Sequence, residues 1–164
     1  MKPPKLKFVF LGLGAFMFYF NFFNRVYVPH KNSAPYLNLI RSEEKAKGIP
    51  KNLLLRLLEQ ESHFRPLAHN KSSDARGIAQ IVPRWHPEIT DPFDPQEAIP
   101  YAAGYLRKLY DAFGYWDLAL ASYNWGRGNV KKVMDLHGVD AFDYMPRETR
   151  NYITEISNDV RFSQ

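Results

Sequence analysis

The sequence predicts a mainly α-helical domain carried behind an N-terminal transmembrane helix. Three observations lead there. Lys2, Lys5 and Lys7 precede an apolar run from Phe8 to Phe23 that only Asn21 interrupts. Beyond residue 34 the apolar residues recur at helical spacing, and glycine and proline punctuate the chain between the repeats. Finally, 164 residues with 45% apolar and 15% aromatic content provide for one compact core and a short appendage, not for two ordinary domains.

The apolar run is slightly shorter than the ~20 residues that span a bilayer core, which sets Asn24 and Arg25 near the far interface. No small-x-small cleavage site follows it, so residues 1–28 read as an uncleaved signal or membrane anchor and 29–34 as a linker. The lysines before the run predict a cytoplasmic N-terminus, with the domain at 35–164 on the other side. That location is the periplasm or its equivalent outside the cytoplasmic membrane, on a single-pass inner-membrane protein. A first helix is expected at about 35–47, stopped by Gly48 and Pro50, and a second at about 50–62. From His63 to Pro100 the chain is rich in proline, glycine and charge, too long for an idle connection in so small a domain. A helix follows at about 96–113, with Ile99, Ala103, Leu106 and Tyr110 as its stripe and Gly114 as its stop. Asp117 is a candidate cap for a helix through Asn124, and Asn129 for a short one to His137. Pro146 starts the last, which carries Tyr152, Ile153 and Ile156.

A net charge of +5 favours a polyanionic partner without choosing among nucleic acid, anionic lipid and acidic wall polymer. Basic residues scattered among acids, instead of gathered on one helix face, argue against nucleic acid. The absence of cysteine excludes disulfides and thiolate metal sites. His30, His63, His69, His86 and His137 show no metal-ligand spacing, and Gly126-Arg127-Gly128 lacks the strand and lysine of a phosphate loop. No metal or cofactor is expected.

The residue that stands out is Glu61. Leu53, Leu54, Leu57 and Leu58 form one helical stripe, and Glu61 continues it, whereas Glu59 lies about 160° away and faces water. A carboxyl on an apolar face either finds a cation, here Arg65 or Arg76, or stays protonated. A glutamic acid protonated near neutral pH is what glycosidic cleavage requires, since the departing sugar oxygen needs a proton. Spacing alone leaves both readings open.

The wider pattern favours the second. Glu61-Ser62-His63-Phe64-Arg65-Pro66 is followed by Arg76-Gly77-Ile78-Ala79-Gln80 and then by Ala121-Ser122-Tyr123-Asn124-Trp125-Gly126. The Asp94-Pro95 turn, Gly104-Tyr105-Leu106 and Glu148-Thr149-Arg150-Asn151-Tyr152 complete it. From about Asn52 to Ile156 the chain resembles the soluble lytic transglycosylase domain family. The resemblance implies a goose-type-lysozyme-like fold and, as substrate, the glycan strands of peptidoglycan. It implies cleavage of the MurNAc-GlcNAc β-1,4 bond with formation of a 1,6-anhydroMurNAc end. Glu61 becomes the catalytic acid and base, and Ser62 a hydroxyl that orients Glu61 or substrate. Gln80 and Asn124 become partners for N-acetyl or hydroxyl groups, with Tyr123 and Tyr152 lining the cleft. Tyrosine offers a flat face with a polar tip, and an amide donates and accepts at once, as sugars require.

Glycosidases usually employ two carboxylates, and no second one is obvious. The family implies that the substrate's acetamido group replaces it. If Asp74 instead held a water, the chain would be a muramidase like goose-type lysozyme; more simply, Asp74 pairs with Arg76 or caps a turn. A tethered wall-binding scaffold without chemistry is the alternative outside enzymology, and the presence of Glu61 argues against it. Two departures concern the cleft wall. Ala79 stands where a larger residue is common, and Trp125, where alanine is common, is either a stacking surface or a filler for the volume that Ala79 leaves. Small size is compatible with wall remodelling, division, a secretion machine or a phage role.

Overall fold

The computed structural model describes residues 29–158 and 160. The anchor predicted on residues 1–28 lies outside the described residues, among which no helix is long and apolar enough to cross a membrane. The stretch expected as a linker is structured from Lys31 onward. A 3-10 turn, Lys31–Tyr36, buries Ser33 and leads into α1 (Leu37–Ala46). The α ladder starts after Pro35, which has no N–H to offer it.

α1 is tied to the next helix by a buried acid. Glu44 accepts from Arg41 at 2.8 Å and from the Leu55 backbone N–H at 3.3 Å, while Arg41 also donates to Asn52 Oδ1 at 2.6 Å. α2 (Leu53–Ser62) begins three residues later than the proline signal suggests, because Pro50 and Lys51 are used in a turn that Leu53 N–H closes on Pro50 O at 3.0 Å. Its burial is wider than the predicted stripe: Leu55 is fully buried beside Leu53, Leu54, Leu57 and Leu58. The reason is that α2 packs on α1 and also on the last helix, and two packed sides need a broader apolar face. Glu59 is directed away and forms an ion pair with Arg56 at 2.6 Å.

The long connection contains a two-stranded antiparallel ribbon, β1 (His69–Asn70) and β2 (Ala75–Arg76), with His69 opposite Arg76, and a 3-10 turn at Pro83–Trp85. α3 (Pro95–Phe113) agrees closely with expectation. Asp94 caps it by accepting from Gln96 N–H at 2.9 Å, and Gly114, at φ 76°, ends it. Ile99, Ala103 and Leu106 are fully buried, and Tyr110 stacks on Trp116 at 4.1 Å.

α4 (Trp116–Trp125) is the centre of the domain, packed by α3, by α5 (Arg127–His137) and by α6 (Arg147–Ser157). Ala119, Leu120, Ala121 and Ser122 are accordingly fully buried. Neither predicted polar cap on this side forms. Asp117 lies inside the first turn of α4, where Oδ1 accepts from Ser157 of α6 at 2.9 Å. α5 starts at Arg127, and Asn129, already within it, donates to Trp125 O at 2.7 Å. Gly126, at φ 94°, turns the chain between the two helices. A 3-10 segment, Gly138–Tyr144, connects to α6, which follows Pro146 as expected.

Candidate active site

Glu61 is the penultimate residue of α2, and two successive left-handed residues, His63 at φ 53° and Phe64 at φ 58°, take the chain sharply away behind it. The Phe64 ring is buried in the core, which offsets the cost of that backbone. Ser62, also buried, donates from Oγ to Ile78 O at 2.7 Å and accepts from Arg65 N–H at 3.1 Å. This hydroxyl is therefore a strut between the end of α2 and the Gly77–Gln80 loop. It can orient Glu61 through the backbone, but its own hydrogen bonds turn it away from a substrate.

Tyr152, on α6, points its hydroxyl at Glu61 and donates to Oε1 at 2.5 Å. The contacts of α2 with α6 bring the two together from 91 positions apart. Neither arginine considered as a partner competes: Arg65 Nε donates to Ser62 O at 2.8 Å, and Arg76 is bound to Asp74. Glu61 keeps a partial opening to solvent, yet its carboxyl is enclosed. Loss of water raises its pKa from 4.5 to about 7, and the Tyr152 hydrogen bond opposes that rise without cancelling it.

The shift has a sign for stability. Between pH 4.5 and 7 the folded chain retains a proton that the unfolded chain has released, so the contribution of this group is complete below pH 4.5 and is lost as pH rises toward 7. At about 1.4 kcal/mol per pH unit the loss reaches roughly 3 kcal/mol. Glu61→Gln is therefore expected to unfold at about the parent temperature near pH 4 and at a higher one at pH 8. Melting curves across that range check it, and a constant difference between the two proteins would count against a protonated Glu61.

Two cavities meet at Gln80. The smaller, about 590 Å³, is lined by Glu61, Arg65, His69 and Asn70. The larger, about 690 Å³, is walled by Trp85, Tyr101, Tyr105, Tyr123, Asn124 and Trp125. Gln80, at φ 49°, is oriented by donating from Nε2 to Gly77 O at 3.0 Å, which leaves its carbonyl oxygen free of that contact. Tyr123 donates to Ala79 O at 2.9 Å, and burial pushes its pKa well above the ordinary phenol value, as burial also does for Tyr152. Both phenols remain neutral donors beside Glu61. Asn124 is exposed, and its Oδ1 accepts from Thr149 of α6 at 2.9 Å, which turns the amide nitrogen outward. Trp125 is half-buried on the wall of the larger cavity.

The structure thus brings Glu61, Gln80, Tyr123 and Asn124 to one groove, and sets Tyr152, which lines neither cavity, against Glu61 and Ser62 behind the groove. Asp74 belongs to neither cavity. Its carboxylate binds Arg76 Nε and His69 Nε2, each at 2.9 Å, and these hydrogen bonds hold its pKa below the usual range. Sequence reasoning missed Trp85, His86 and Tyr101 on the wall of the larger cavity. The signal for part of it was present: Tyr101 and Tyr105 are one helical turn apart and share a face of α3.

By its build, this is a helical domain that holds an enclosed acid of raised pKa in the smaller of two open cavities, which meet at Gln80 and are rimmed with phenols and amides. The chain belongs to the transglycosylase SLT domain family, whose profile matches residues 38–144. Tyr152 lies beyond the matched segment. A protein named membrane-bound lytic murein transglycosylase C from Actinobacillus pleuropneumoniae serotype 5b is 31% identical over 129 residues, 66% of this chain and 35% of its own. The protein of the same name from Pectobacterium atrosepticum is 29% identical over 124 residues, 63% of this chain and 34% of its own. The chain therefore spans about a third of the length of these relatives. In fold it resembles the 70 kDa soluble lytic transglycosylase of Escherichia coli, with a TM-score of 0.68 at 24% identity over 76% of this chain and 23% of that one.

Proposed function

We propose that this chain is a peptidoglycan lytic transglycosylase in which Glu61 acts alone, first as acid and then as base. The observation that carries the reading is a carboxyl with a pKa of about 7 in a groove whose two cavities contain no other acidic residue among the described ones. In the first step protonated Glu61 gives its proton to the glycosidic oxygen, and the bond from that oxygen to C1 breaks. The acetamido oxygen of the same sugar supports C1 as the leaving sugar departs. Glu61, now a carboxylate, takes the proton of the C6 hydroxyl; O6 bonds to C1, and a 1,6-anhydroMurNAc end results. The proton lost is the proton regained, and no water is consumed. Desolvation suits both halves, because a pKa near 7 makes the acid strong enough to give and its conjugate base strong enough to take.

The names of the relatives support the substrate, and Gln80, Tyr123, Asn124 and Tyr152 support recognition of an N-acetylated sugar. A hydrolytic reading needs an acid that holds water, and Asp74 is committed to Arg76 and His69. The apolar run at residues 8–23 supports a membrane anchor, in keeping with relatives named membrane-bound, with the domain outside the cytoplasmic membrane.

Digestion of purified peptidoglycan in ¹⁸O-labelled water, followed by mass spectrometry, tests the reading. Anhydro ends without label are expected. Reducing ends carrying ¹⁸O would make the chain a muramidase, and glycan binding without products would make it a scaffold.

A further inference from the structure

A chain of polar groups that the cleavage steps do not use borders the larger cavity, with His86 and Tyr101 in its wall and Glu88 behind Tyr101. His86 follows the 3-10 turn at Pro83–Trp85, and Tyr101 stands on α3. The Tyr101 hydroxyl donates to Glu88 Oε1 at 2.6 Å and lies 2.7 Å from His86 Nδ1. The Tyr101 hydrogen bond holds the Glu88 carboxyl below its usual range, so at neutral pH it is a carboxylate and can only accept. Burial, together with the bond to Glu88, pushes the Tyr101 phenol well above its ordinary value, so it retains its single proton. That proton is committed to Glu88. The contact with His86 then requires a hydrogen on Nδ1.

Burial also lowers the pKa of His86, which leaves the ring neutral at neutral pH. A neutral imidazole with its hydrogen on Nδ1 carries a bare lone pair on Nε2. No described residue occupies Nε2, and His86 lines the cavity. The ring plane is set by edge contacts to Tyr105, at 4.6 Å and 78°, and to Tyr101, at 5.5 Å and 81°. Gln80 and Asn124 can each donate and accept, and so serve sugar hydroxyls in either sense. An atom that only accepts calls for a donor, and of the substrate's donors the amide N–H is the one that cannot turn a lone pair toward it instead.

We infer that His86 is a specificity-determining residue of the groove, whose Nε2 accepts from an amide N–H of the glycan substrate, with Tyr101 and Glu88 as positioning residues that fix its tautomer. The inference rests on the glycan reading above. An amide N–H reaches the cavity either from a sugar acetamido group or from a stem peptide, and the test separates these sources.

In the full chain with ¹⁵N-labelled histidine, long-range ¹⁵N–¹H spectra are expected to show His86 protonated on Nδ1, and Tyr101→Phe is expected to shift it toward the Nε2–H form. Binding is measured with the Glu61→Gln chain, to intact strands and to strands stripped of peptides. Adding His86→Phe, which keeps an aromatic ring and removes the acceptor, is expected to weaken binding about three- to tenfold, with part of the loss recovered by His86→Gln. Loss on both substrates places the donor on the sugar, as an acetamido N–H requires, and loss on intact strands alone assigns it to the peptide. An Nε2–H tautomer in the parent chain, or His86→Phe binding within twofold of the Glu61→Gln chain on both substrates, overturns the inference. Failure of the glycan reading is seen separately, as no binding of either substrate by the Glu61→Gln chain.

Discussion

Glu61→Gln is expected to lower the release of glycan fragments by about 10²- to 10⁴-fold, the range that one positioned acid-base group supplies. Binding should change little. The amide has nearly the shape of the carboxyl, and its oxygen can still accept from Tyr152, so the contact between α2 and α6 at this point is retained. What the amide lacks is a proton to give to the leaving oxygen and a basic atom to recover one from the C6 hydroxyl. Quantifying released muropeptides at saturating substrate checks it. Among the described residues no second acid lines either cavity to replace it, so residual turnover within tenfold of the parent would remove Glu61 from the chemistry.

The second large effect lies behind the groove. Gly77→Ala is expected to cost about 4 kcal/mol or more in stability, in the range reached only by severe steric or core lesions. Gly77 has φ 74°, and an added Cβ would lie 1.7 Å from Pro92 O and 2.8 Å from Pro92 C. Both are backbone atoms, so no side-chain rotation relieves the overlap. The same residue donates from N–H to Ala68 O at 2.8 Å and accepts the Gln80 side chain at 3.0 Å. Displacing it disturbs the loop that Ser62 ties to α2 through Ile78 O. A fall in melting temperature of roughly 10 °C or more is expected, with loss of activity. Gly128→Ala is the matched control: Gly128 sits in α5 with nothing within 4 Å of the added methyl, and the change should be neutral or stabilising by up to about 1 kcal/mol. A Gly77→Ala chain that melts like the parent would show that the Pro92 contact is readily opened.

The parts of the fold that were legible are those decided by short-range chemistry. Gly114 ends α3 as expected because a left-handed stop acts within one turn, whereas the Asp94 cap and the Pro95 start, equally local, were read only as a turn. Asp117 and Asn129 were misjudged as caps because a polar side chain bonds whatever the fold brings near it. For Asp117 that is Ser157, 40 residues away, and for Asn129 it is the last carbonyl of α4. Leu55 was missed as a core residue for a related reason: a single helix displays one stripe, and only its packing against α1 and α6 makes a second side buried.

The site divides in the same way. Local spacing alone determined that Glu61 continues the leucine stripe of α2 and differs from Glu59, and the order of motifs from Glu61 through Gln80 to Tyr123-Asn124 determined the family. Periodicity carries that much because it reflects which face a residue occupies on its own helix. Only the tertiary structure decided that Glu61 is held by Tyr152 and by no arginine, that Ser62 is a strut behind the groove, and that Asp74 is committed to Arg76 and His69. It alone assembled His86, Glu88 and Tyr101. Protonation follows desolvation and hydrogen-bond partners, and both are properties of atoms brought together from distant parts of the chain.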